Sequence, residues 1–147
     1  KLEDLAALLK KLVAHFINLE SDKGIVLLEL QMSHRLGALA GRIESFESLD
    51  GKDGDAFAFF LKNLTDIFQD IGESARWGSN NLRQEELTKT IVLFNSIEET
   101  IKELLPIVIS IDEKRKELNY ETFGGLLQRF IDTLEEKRHT ILQNLGR

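Results

Sequence analysis

The chain has 147 residues, 42% of them hydrophobic and 30% charged, with 25 acidic against 19 basic side chains, a formal net charge of −6 and no cysteine. Lack of cysteine excludes disulfides, thiolate catalysis and cysteine metal sites; ample Leu, Ile and Phe beside a single Pro exclude a disordered or collagen-like chain. Net acidity argues against nucleic acid as a partner, because phosphate binding needs clustered Lys and Arg, and no apolar run approaches the ~20 residues of a membrane span.

The first helical stripe is Leu5, Leu8, Leu9, Leu12, Phe16 and Leu19, with Lys10 and Lys11 off it. Ser21-Asp22-Lys23-Gly24 then supplies turn residues. Ile25, Leu28, Met32, Leu36, Leu39, Ile43 and Phe46 make a second stripe, ending at Asp50-Gly51-Lys52-Asp53-Gly54-Asp55, the strongest loop signal in the chain. Asp55 is expected to cap a third helix carrying Phe57, Phe60, Leu61, Leu64, Phe68 and Ile71, with Phe59 off its stripe. Arg76 to Asn81 reads as a second loop, from which Asn81 and Gln84 open a fourth helix. That helix keeps Leu87, Ile91, Phe94, Ile97, Ile101, Leu104, Val108 and Ile111 on one face, with a kink or break expected at Pro106. Asp112 to Glu117 reads as a solvated helix end, Asn119 as a cap, and Phe123, Leu127, Phe130, Leu134, Ile141 and Leu145 as the last stripe.

Steps of three and four almost throughout, with hardly any alternation of period two, make the fold class all-α. Short joins turn a chain back on itself, so the expected architecture is a mostly antiparallel, up-and-down bundle of four principal helices plus one shorter or kinked helix, a single domain over residues 1–147. The start at Lys1, with no initiator Met, is expected of a processed chain or a piece of a longer one.

Residue constellations for chemistry are sparse. The acidic loop fails as a calcium loop, since counting from Asp50 puts Lys52 at the third ligand position and counting from Asp53 puts Phe57 at the fifth. His15, His34 and His139 stand on different helices without the spacing that brings zinc ligands together, and there is no Gly-x-Ser-x-Gly elbow. No catalytic residue, metal ligand or cofactor is expected. The stretch Ser33-His34-Arg35-Leu36-Gly37-Ala38-Leu39-Ala40-Gly41-Arg42-Ile43 resembles the phosphoacceptor helix of histidine kinases and histidine phosphotransfer domains. There an exposed, neutral imidazole takes a phosphoryl group and small neighbours let a partner approach, which makes His34 a candidate phosphoacceptor. The same small residues also fit close helix packing, for which glycine gives up about 1 kcal/mol of helix propensity. Trp77, beside Arg76 in a loop, is either a lid over the bundle end or an exposed surface anchor.

Three further stretches resemble the HeLo and HeLo-like helical bundles, the N-terminal domains of fungal HET-S-type incompatibility proteins and of mixed lineage kinase domain-like proteins. They are Leu27-Leu28-Glu29-Leu30-Gln31-Met32-Ser33-His34-Arg35-Leu36, then the helix from Phe60 to Ile71, then Tyr120 to Glu136 with its Phe123, Leu127, Phe130-Ile131-Asp132 and Leu134. The resemblance implies a non-enzymatic signalling or cell-death effector that oligomerises or binds a protein partner and disturbs membranes after an upstream signal loosens the bundle. It implies a cytoplasmic protein recruited to a membrane surface. The helix to be exchanged for lipid or a partner would be the first, through Leu5, Leu8, Leu9, Leu12 and Phe16. The alternative function is histidine phosphotransfer, or another protein-interaction or sensor bundle.

Overall fold

A computed structural model describes residues 2–21, 31–74, 84–115 and 122–145. Among these there are five helices and no strand: α1 (Glu3–Ser21), α2 (Gln31–Ile43), α3 (Gly51–Ser74), α4 (Gln84–Lys114) and α5 (Phe123–Leu145). The all-α fold read from the sequence is therefore the fold observed. Trp77, Asn81 and Asn119, and the start of the second stripe at Ile25 and Leu28, lie outside the described residues.

Long-range contacts give each helix a direction. The Leu2 N–H donates to the Phe46 carbonyl and Lys10 pairs with Glu44 at 2.8 Å, so α2 runs back along α1. Leu2 shares one cleft with Leu49 and Asp50, just before α3, while Phe16 stacks on Phe68 well along it, so α3 runs with α1. The same cleft holds Ile111 near the end of α4. Contacts of Arg138 with Glu98, and of Asp112 with Phe123, run α5 back along α4. Successive helices thus alternate up and down. α4 lies between α1 and α5, α3 packs on α5, and the short α2 lies against α1.

The stripes are buried as their periodicity requires. Phe68 is the knot, with its ring 5.8 Å from Phe16, 5.5 Å from Phe94 and 4.9 Å from Phe130, so that α1, α3, α4 and α5 meet on one side chain. The same core holds Leu5, Leu9, Leu12, Leu64, Ile97, Ile101, Leu127 and Leu134, all essentially inaccessible. Buried hydroxyls need partners: Thr100 and Thr133 donate to the carbonyls of Ser96 and Arg129, one turn back.

Three local expectations are corrected. Residues 51–55, read as a loop with Asp55 as cap, are the opening turns of α3. The chain enters through Gly51 at φ 64°, a left-handed conformation suited to glycine. Gly54 is buried, and a Cβ there would collide with the Leu49 carbonyl. Asp53 sits in the first turn, where the helix dipole favours acid. Next, of the kink or break expected at Pro106 the break does not occur, since α4 is one continuous helix from Gln84 to Lys114. Pro106 and Lys102 face solvent, so the Lys102 carbonyl that loses its helical donor can be met by water. Finally, the helix end from Asp112 is not simply solvated. Glu113 and Lys114 are exposed, but the side chains of Asp112 and Arg115 are only 14% and 6% exposed.

Candidate functional site

The residues singled out by the sequence do not converge on one site. The α1 set is the bundle interior: Leu5, Leu9, Leu12 and Phe16 are buried and Leu8 is partly so, while Lys10 and Lys11 face water. His15, on the same helix, is held below the ordinary histidine range, first by burial and then by Lys11, with Glu99 of α4 opposing.

His34 stands in another place, exposed on α2, whose inward side is Leu36, Leu39, Ala40 and Ile43. Gly37, Ala38 and Gly41 follow it at three, four and seven residues, which is one helix face. Among the described residues, a Cβ at Gly37 or Gly41 would meet nothing within 4 Å. The expectation that these glycines mark close helix packing is therefore overturned: they smooth an open surface beside the imidazole.

A third locality, the base of the bundle, was not foreseen. Here the N-terminal ends of α1, α3 and α5 meet the C-terminal end of α4. Asp112 reaches from α4 across to α5, where its Oδ1 accepts the Phe123 N–H at 2.8 Å and its Oδ2 the Gly124 N–H at 2.9 Å. Thr122 Oγ1 accepts the Gly125 N–H at 3.0 Å. One carboxylate and one hydroxyl thus satisfy three of the four orphan donors of α5. Gly124 permits the approach, since a Cβ there would sit 3.2 Å from Ile109 and 3.3 Å from Asp112 Oδ2.

Arg115, just after α4, lays its guanidinium over the Phe123 ring, 4.0 Å from the centroid. Its Nη1 is 3.9 Å from Asp112 Oδ1, and its Nε and Nη2 are buried with no hydrogen-bond partner among the described residues. Beside it opens a cleft of about 200 Å³, lined by Leu2, by Glu47, Ser48, Leu49 and Asp50 ahead of α3, and by Ser110, Ile111, Lys114 and Arg115. A sequence signal existed for this end: Asp112 in the last turn of a helix opposes the helix dipole, so a partner elsewhere was to be sought.

Between α4 and α5, Arg138 grips the Glu98 carboxylate and also donates to Asn95 at 3.0 Å. That hydrogen bond holds the Glu98 carboxyl below the usual carboxylate range and raises Arg138 above its own. Val92 on α4 and Leu142 on α5 are exposed. Phe59 is 63% exposed on α3, as its off-stripe position predicts. Among the described residues no three His, Asp or Glu side chains gather as a metal ion requires, and no helix is long and apolar enough to cross a membrane. Comparison with protein-family models, with curated proteins and with solved structures finds no match.

Proposed function

We propose that this chain is a non-enzymatic helical signalling or effector module of HeLo-like type, which exchanges the contacts of its first helix for those of a partner, a second copy or a membrane surface. The observation that carries this reading is the division of α1 between a mostly shielded apolar side, with Leu5, Leu9, Leu12 and Phe16 buried, and a solvent-facing pair, Lys10 and Lys11. A helix so divided is silent in the bundle and surface-active outside it, where lysines favour anionic headgroups. Burial of Leu5, Leu9, Leu12 and Phe16 is worth about 2 kcal/mol each. Their sum of roughly 8 kcal/mol is comparable with the whole stability of a domain. The helix therefore stays docked until a signal weakens the bundle and a receiving surface replaces the lost contacts. Such a module would work in the cytoplasm and be recruited to membranes on activation.

Leakage of dye from anionic liposomes tests this. The wild-type chain should leak dye weakly and Phe16→Ala, which loosens α1, more strongly, with the gain suppressed when Lys10 and Lys11 are both changed to Glu. No leakage by either the wild type or a demonstrably loosened Phe16→Ala refutes the reading.

A second reading has its own support in the exposed His34 beside Gly37, Ala38 and Gly41. Two glycines that each give up about 1 kcal/mol of helix propensity, at positions where no described neighbour requires their smallness, suit a surface that a phosphodonor protein can approach. Phosphoryl uptake from phosphoramidate that disappears in His34→Gln supports it. Uptake that persists in that variant, or no uptake at all, removes it.

A further inference from the structure

The cleft at the base of the bundle combines features that neither reading of the function uses. A guanidinium whose side chain is only 6% exposed has two N–H groups, at Nε and Nη2, that no atom among the described residues accepts. Buried donors without partners are rare in folded proteins, and each calls for a reason. Asp112 pairs with Arg115 only through Nη1, at 3.9 Å and so beyond hydrogen-bond reach, while its oxygens also hold the N–H groups of Phe123 and Gly124. The N-terminal ends of α3 and α5 lie alongside and add positive potential, opposed by the C-terminal end of α4, which Arg115 follows. What Nε and Nη2 lack is an acceptor.

Nε and Nη2 form one edge of the guanidinium, a planar fork that matches the two oxygens of a carboxylate. The cleft that Arg115 lines adds Lys114 as a second cation, the Ser48 and Ser110 hydroxyls, and an apolar wall of Leu2 and Ile111. Glu47 and Asp50 on its other side disfavour a doubly charged phosphate. A volume of about 200 Å³ suits a single residue rather than a folded segment. We infer that this cleft is a binding site for a carboxylate carried next to a short apolar side chain, as at the C-terminus of a peptide ending in Leu or Val or in the free amino acid. Nε and Nη2 are closed off from water, so binding turns the guanidinium from the Phe123 ring towards the cleft.

The test is a titration of the wild-type chain with N-acetyl-L-leucine, N-acetyl-L-leucinamide, L-leucine and the tripeptide acetyl-Ala-Ala-Leu, followed by calorimetry and by the amide and Phe123 ring resonances. N-acetyl-L-leucine is expected to bind and to shift the Phe123 ring, while the leucinamide, which lacks the carboxylate, does not. Tighter binding of the tripeptide than of L-leucine identifies a peptide C-terminus as the source, and the reverse order identifies the amino acid. Arg115→Lys keeps the charge but loses the fork, so its affinity should fall about tenfold or more. Arg115→Met should also lose binding yet unfold no earlier than the wild type, because two unsatisfied buried donors have been removed. Absence of binding by the wild type at millimolar concentration, or equal binding of acid and amide, overturns the inference.

Discussion

Asp112 is the side chain on which the α4–α5 junction turns, and its replacement by Asn gives a sharp test of the assigned geometry. The carboxylate accepts two backbone N–H groups, from Phe123 at 2.8 Å and Gly124 at 2.9 Å, in a setting where its side chain is 14% exposed. Asn has the same shape but one acceptor oxygen, so one N–H is left facing an amide NH2 and the negative charge at the N-terminus of α5 disappears. Loss of a hydrogen bond to a charged acceptor costs about 1.5–3 kcal/mol, and loss of charge at a helix start about 0.3–1 kcal/mol. Together they give about 2.5 kcal/mol, which for a chain of this size lowers the melting temperature by roughly 5–10 °C. Thr122→Ala, which removes only the exposed hydroxyl that accepts the Gly125 N–H, should cost about 1 kcal/mol. Because both act on one helix end, the double variant should depart from additivity. Urea unfolding followed by circular dichroism gives the free energies, and hydrogen exchange at Phe123 and Gly124 shows where the loss falls. An unchanged midpoint for Asp112→Asn, or lost protection elsewhere with these two amides still protected, would refute the assignment.

Gly54→Ala should destabilise by about 1–3 kcal/mol through collision with the Leu49 carbonyl, whereas Gly37→Ala and Gly41→Ala, in open space, should each stabilise by about 1 kcal/mol; equal signs in denaturant titrations contradict the contacts described. Arg138→Met strands the mostly buried Glu98 carboxylate beside Lys102 alone and should cost about 2 kcal/mol at neutral pH, most of it recovered by adding Glu98→Gln. Glu98 titrates lower when folded than unfolded, so its contribution is full above the ordinary Glu value and is lost as pH falls through the depressed folded value; stability curves against pH should lose that acid slope in the double variant. His15 is also depressed in the folded chain, so its contribution is present above the ordinary His value and fades as pH falls through the lowered one. His15→Gln should flatten the stability curve in that window, and a slope identical to the wild type would show that burial at the α1–α4 seam does not control it.

The helices were legible because burying one side of a helix demands apolar residues at steps of three and four, a constraint local enough to read from one sequence. The stripes through Leu5 to Phe16, Phe57 to Phe68 and Phe123 to Leu134 are the core, and Phe59, one place off its stripe, is in water. Where one residue type serves two opposite needs, the sequence is silent. Gly and Asp at 51–55 suit both a turn and the first turn of a helix, and the choice was made by the Leu49 carbonyl, which leaves no room for a Cβ at Gly54. Gly37 and Gly41 look from the sequence like packing glycines, as Gly54 and Gly124 in fact are, yet no described neighbour touches them. Pro106 breaks helices when its orphaned carbonyl is buried, and its outward position on α4 is a property of the whole bundle. Asp112 and Arg115 went unread for the deepest reason. Their burial depends on α5 arriving over them, and the carboxylate is placed by N–H groups 11 and 12 residues further along the chain. A charged run at a helix end is ordinarily wet because nothing covers it. Here an arriving helix covers two of its members, satisfies one and leaves the other with donors to spare.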